Sequence, residues 1–212
     1  MYRPSEGGFG IDGEDLTGKS QHEIARLGLA RTFQNTELFG ELTVLENVMV
    51  GGQSRLRYGL VDALLRTPRR RREERELRAA AVGLLAFVGL TDHANEAARY
   101  LPFGLQRRLE IARALAARPR LLLLDEPAAG LTSQEIDELA AMIRKIAASG
   151  VSVLLIEHHV DLIMAVADTV TVLDYGQVIA SDRPGVVQND PRVIEAYFGS
   201  PVAHGELSEA SA

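Results

Sequence analysis

Leu121-Leu122-Leu123-Leu124 is a continuous apolar run that ends in Asp125-Glu126-Pro127. A short run of this kind, stopped by a breaker, reads as a strand buried on both faces, as in a parallel sheet. A helix is the rival reading, but the run is short and Pro127 ends it. Asp125 and Glu126 then lie at the carboxyl end of a central strand, where open α/β sheets place their ligands. Adjacent carboxylates there suit a magnesium nucleotide, one for the metal and the next for a water. The bland alternative is a strand ending in solvated acids.

A second strand strengthens the first reading. Val151 to Ile156 is apolar and rich in β-branched residues, and it ends in Glu157-His158-His159. Between the two strands, Ile136, Leu139, Ala140, Ile143 and Ile146 recur with helical period. Ser133 is placed as N-cap and Gly150 just past the end. Strand, helix and strand over roughly 30 residues make a βαβ unit with parallel strands. Asp125, Glu126 and one or both histidines should therefore converge on one sheet edge. A histidine there can bond a phosphate or hold a water, or it can be a plain surface residue.

The 212 residues suit one domain or two closely joined ones. A net charge of −6 argues against general nucleic-acid binding, which needs a basic surface. The absence of cysteine excludes disulfides, thiolate metal sites and cysteine nucleophiles. No apolar run approaches the ~20 residues that span a bilayer, and Met1 to Glu6 carries no apolar signal region. These features predict a cytoplasmic location.

Elsewhere the chain offers weaker signals. Residues 1–13 are glycine-rich, with Phe9 and Ile11 alternating, and predict a short hairpin. Gly13 to Ser20 matches the phosphate-loop pattern G-x-x-x-x-G-K-S, but Glu14 and Asp15 would put two negative charges into an anion site. His22 to Leu29 reads as a short helix ended by Gly28. Gln34 follows a short extended run and could reach a ligand. Thr43 with Glu46 forms a capping box at the next helix start. Residues 52–98 read as all-helical, with the Arg69 to Arg72 run and Glu73, Glu74 and Glu76 as a solvated face or an acidic partner's docking face. Gly104 is placed just before a helix that continues to Ala117, where free N–H groups and the helix dipole favour an anion. A packing glycine is the alternative. Val160 to Ala167 reads as a helix, residues 169–180 as a hairpin around Tyr175-Gly176, and Pro191 to Tyr197 as a last helix.

Taken together, these residues resemble the ATP-binding subunits of ABC transporters, and within them the branched-chain amino acid importer type. Thr32-Phe33-Gln34 looks like the Q-loop, Leu101 to Ala114 the signature motif and its helix, and Leu121 to Pro127 Walker B. Ala128 to Leu131 looks like the D-loop and Ile156-Glu157-His158 the switch-histidine segment. The matches keep the family's order from Tyr2 to about Gly199.

The resemblance implies an α/β, P-loop NTPase-like core with a parallel sheet over residues 1–199. A helical subdomain at about 40–118 would be inserted in it and face the permease, and 200–212 would be a flexible tail. It implies ATP and Mg2+ as cofactors. Asp125 would help hold magnesium, Glu126 would polarise the attacking water, and His158 would contact the γ-phosphate. Gln34 would sense the metal and the water. Gly104 would close over ATP bound by an opposite subunit. The implied partners are transmembrane permease subunits, a second ATP-binding subunit, identical or related, and indirectly a substrate-binding protein. The implied location is the cytoplasmic face of the membrane.

Departures from the family pattern accompany the match. The family's phosphate loop precedes the segment resembling Tyr2-Arg3-Pro4, so the chain looks like one of these ATPases begun after that loop. Pro102 stands where a serine is common, Leu105 where Gln or an acid is usual, and Thr132 where Asn or Asp is usual. Two alternatives follow: a non-catalytic structural subunit, and an independent phosphotransferase built on Gly13 to Ser20.

Overall fold

The computed structural model describes residues 5–32, 38–55 and 68–198. Gln34 and the 200–212 tail lie outside the described residues. The chain divides into two compact units, residues 1–158 and 159–212.

The first unit is built on a parallel sheet of β3 (Leu29–Arg31), β4 (Leu121–Asp125) and β5 (Ser152–Ile156), in the order β3-β4-β5. Leu122 pairs with Val153, and Asp125 with Ile156. The sheet corrects one expectation. Leu122 and Leu124 are fully buried, but Leu121 and Leu123 are half-buried, so β4 is not sealed on both faces. Leu154, in register with Leu123, and Ile156, in register with Asp125, are exposed.

Helix α5 (Ser133–Ala148) links β4 to β5 and buries Leu139, Ala140, Met142, Ile143 and Ile146. Its N-cap is Thr132, one residue before the expected Ser133. Thr132 Oγ1 accepts from the Glu135 N–H, and Glu135 returns a carboxylate oxygen to the Thr132 N–H at 2.8 Å. The capping box requires Glu three residues after the cap, and only Thr132 meets that spacing.

Three helices pack together in the same unit: α2 (Val44–Gly52), α3 (Pro68–Val88) and α4 (Phe103–Ala116). The Thr43–Glu46 capping box is present as expected. Helices α2 and α4 approach so closely that a Cβ on Gly51 would overlap the Arg113 carbonyl. Asn47 is fully buried in α2; its amide bonds Phe39 through both N–H and C=O and donates to the Leu42 and Thr43 carbonyls. On α3, Arg69, Arg70 and Arg72 pair with Glu73, Glu74 and Glu76 one turn on, the pattern of a solvated face.

The amino-terminal hairpin forms, but further along the chain than expected. Strands β1 (Gly10–Ile11) and β2 (Glu14–Asp15) flank an Asp12-Gly13 turn with both residues at positive φ. The G-x-x-x-x-G-K-S match is thus spent on a strand and a turn. Lys19 pairs with Glu14 at 3.2 Å, Asp15 accepts from the Thr17 N–H, and Ser20 caps α1 (Gln21–Arg26). This segment does not form a phosphate loop. The independent phosphotransferase reading loses its basis.

The second unit holds α6 (Val160–Val166), the hairpin β6 (Val170–Asp174) and β7 (Gln177–Asp182), α7 (Pro184–Val187) and α8 (Pro191–Phe198). Tyr175-Gly176 makes the turn at positive φ. Leu162 and Val187 are its buried anchors. The short helix α7 has no clear apolar period and was not expected.

Two variants check this architecture. Leu122→Ala removes a fully buried side chain from the central strand and should cost about 2–5 kcal/mol in urea unfolding. Thr132→Ala should cost about 1 kcal/mol through loss of the cap. Hydrogen bonds from the Thr132 backbone, then its hydroxyl, hold the Glu135 carboxyl below its ordinary pKa. A depressed carboxylate stabilises above its unfolded pKa, and that contribution disappears as pH falls through the folded value. Acidification from neutral pH should therefore cost the Thr132→Ala variant less stability than the parent.

Candidate active site

The β4–β5 register sets the site. Asp125 is the last residue of β4, and Ile156, its partner, is the last of β5. The chain then turns sharply on both strands. Glu126 adopts φ +46°, a conformation unusual for a residue with a side chain and more so before a proline. Its N–H donates to the Ile156 carbonyl at 2.9 Å, and its carbonyl accepts from the Ala129 N–H. Such backbone strain persists where surrounding bonds over-determine it, and it clusters at functional sites.

Asp125 is paired with Arg31 of β3, whose Nη2 lies 2.8 Å from Oδ2. Arg31 did not stand out in the sequence, because the contact depends on β3 lying beside β4. Its guanidinium marks the Asp125 carboxylate as a place where positive charge is favourable.

Glu157 closes the edge from the other strand. Its side chain has 0% exposure although it is ionisable. One oxygen accepts from the Ala128 N–H at 2.8 Å, the other from the His158 N–H at 2.8 Å. The second oxygen also lies 3.5 Å from His158 Nδ1. The His158 side chain itself is 61% exposed. The structure thus brings Asp125, Glu126 and His158 to one edge. His159 caps α6 in the second unit.

Gly104 lies inside the first turn of α4 and is buried, rather than standing just before the helix. A Cβ there would overlap the Glu135 carboxylate, and the Phe103 ring packs 3.1 Å from where a Cβ on Gly130 would stand. The start of α4 is thereby packed on the loop that follows β4. Gly104 is at least a packing glycine. A carboxylate beside the α4 start matches the preference of a helix N-terminus for negative charge. Arg107 stacks on Phe103 at 5.0 Å and pairs with buried Glu110 at 3.0 Å.

Among the described residues no three His, Cys, Asp or Glu side chains cluster as a metal cage. A magnesium ion bound with a nucleotide needs no such cage, since one or two carboxylates, phosphates and waters complete its shell. Asp125 fits that donor set.

Comparison with known proteins agrees with this geometry. The family model for the ABC transporter matches residues 1–129, and that for the branched-chain amino acid ATP-binding cassette transporter matches residues 177–203. The high-affinity branched-chain amino acid transport ATP-binding protein BraF of Pseudomonas aeruginosa is 45% identical, over 94% of this chain and 78% of its own length. LivG of Escherichia coli, a protein of the same description, is 42% identical over the same shares. Among solved structures, the ADP conformation of an ATP-binding cassette of an ABC transporter superposes with a TM-score of 0.78 at 30% identity, covering 94% of this chain and 79% of that one. A dimeric post-hydrolysis cassette bound to ADP and Pi gives 0.70 at 26% identity, covering 86% and 75%. The sheet edge at Asp125, the order of the motifs and these relatives agree: the chain belongs to the ABC transporter family, in the branch of the branched-chain amino acid transport ATP-binding proteins.

Proposed function

We propose that this chain binds and hydrolyses magnesium ATP at the edge formed by Asp125, Glu126 and His158, and that hydrolysis drives import of branched-chain amino acids. The observation that carries the reading is the delivery of two adjacent carboxylates to the end of β4, in register with the strand that carries His158. In this reading Asp125 holds magnesium, which supplies charge neutralisation at the phosphates. Glu126 takes a proton from the attacking water. His158 bonds the γ-phosphate. Gln34 would report on the same metal and water, and Gly104 would serve ATP on a second ATP-binding subunit.

The relatives' role as transport ATP-binding proteins supports permease subunits as the membrane partners, with a substrate-binding protein reached through them. The dimeric cassette supports pairing of two ATP-binding subunits. Among the described residues no helix is long and apolar enough to cross a membrane. The relatives' role as transport ATP-binding proteins supports attachment through the permease, at the cytoplasmic face. The relatives lend no support to a non-catalytic structural subunit.

Two variants test the chemistry. Glu126→Gln should lower ATP hydrolysis by about 10²–10⁴-fold while leaving ATP binding intact, because only the proton acceptor is removed. Unchanged hydrolysis would overturn the assignment. Asp125→Asn should weaken ATP binding in the presence of magnesium by about tenfold or more, and leave magnesium-free binding nearly unchanged. Equal losses in both conditions would place the metal elsewhere.

A further inference from the structure

The buried carboxylate of Glu157 has no part in the hydrolysis outlined above. We propose that Glu157 is the positioning residue that ties the loop after β4 to His158, so that the water-activating and phosphate-sensing ends of the two strands move as one piece. The proposal rests on the reading of Glu126 and His158 given above.

Three observations carry it. First, the side chain has 0% exposure. A carboxylate this deep is tolerated only when its oxygens are well satisfied. Second, one oxygen reaches across to the loop after β4, and the other holds the neighbouring His158 N–H. Oε1 accepts from the Ala128 N–H, two residues after Glu126, and Oε2 accepts from the His158 N–H. Charge-assisted bonds of 2.8 Å are among the stronger hydrogen bonds in a protein. Third, Oε2 lies 3.5 Å from His158 Nδ1. A carboxylate facing Nδ1 favours the form protonated at that nitrogen, leaving Nε2 on the far side.

The loop that Glu157 holds is also anchored from α4. Ala128 is fully buried, and two residues on the Phe103 ring covers Gly130. A shift of the α4 start would therefore be felt at Ala128, and through Glu157 at His158. The β4–β5 ladder and the Glu126 N–H bond to the Ile156 carbonyl already join the two strand ends. Glu157 carries that tie beyond the ladder, from the Ala128 N–H to the residue next to His158.

Glutamine is the informative substitution. It keeps the shape but offers one acceptor oxygen, so it can serve Ala128 or His158 but not both. Its amide can also donate to Nδ1, which would favour the other tautomer.

The test combines three readouts on Glu157→Gln in the full chain, with thermal unfolding as a control for folding. Imidazole ¹⁵N shifts should move His158 from the Nδ1–H toward the Nε2–H form. Amide exchange at Ala128 or His158 should accelerate. The kcat for ATP hydrolysis should fall by about tenfold or more with KM little changed, the scale seen for carboxylates that orient a working histidine. A Glu157→Gln protein with parental His158 tautomer, parental exchange and parental kcat would overturn the proposal. Changed tautomer and exchange with unaltered kcat would overturn the functional half of it. If His158→Ala also leaves hydrolysis unaltered, the assignment of His158 fails instead.

Discussion

Everything at the candidate site depends on the pairing of β4 with β5. A one-residue slip would carry Asp125 off the partner it meets at Ile156 and move alternate leucines to the other face. The register is held by Leu122 and Leu124, which have essentially no exposure, and by α5, which covers the sheet with Leu139, Ile143 and Ile146. The buried leucines therefore determine where the carboxylates stand. The reactive edge inherits its precision from the core.

The loop after β4 is the second constraint. It is bent at Glu126 by a positive φ, tied to β5 through Glu157, covered at Gly130 by Phe103, and closed by the Thr132–Glu135 capping box. Seven residues thus connect the sheet edge, the start of α4 and the start of α5. A strained backbone held by this many partners has little freedom to relax. It places a carboxylate where a flexible loop would leave it averaged over many positions.

Local signals were legible where residue and partner are close in sequence. The Thr43–Glu46 box, the Gly150 helix end and the βαβ unit of β4, α5 and β5 all follow from spacing alone. The helix expected over His22 to Leu29 instead stops at Arg26, and Leu29 opens β3, because pairing with β4 outweighs the local pattern. The N-cap of α5 was displaced by one residue because Thr132 and Ser133 are both good caps; the glutamate three residues on decides between them. The signals that failed are tertiary. The Arg31–Asp125 pair spans strands far apart in the chain, and nothing near Arg31 announces it. Asn47 and Glu157 are polar side chains whose burial depends on neighbours brought in by folding. The phosphate-loop match at Gly13 to Ser20 shows the converse. A short pattern fits by composition, and the backbone uses it as a hairpin and a helix cap.

The most direct test of the account uses a paramagnetic metal. Mn2+ in place of Mg2+, added with ATP, broadens nearby nuclei steeply with distance, and the chain offers five histidines as reporters. If the nucleotide's metal sits at the end of β4, the His158 imidazole signals should broaden while those of His22, beside the Gly13 to Ser20 segment, stay sharp. Broadening at His22 with His158 untouched would contradict the account and put the nucleotide at the amino-terminal segment.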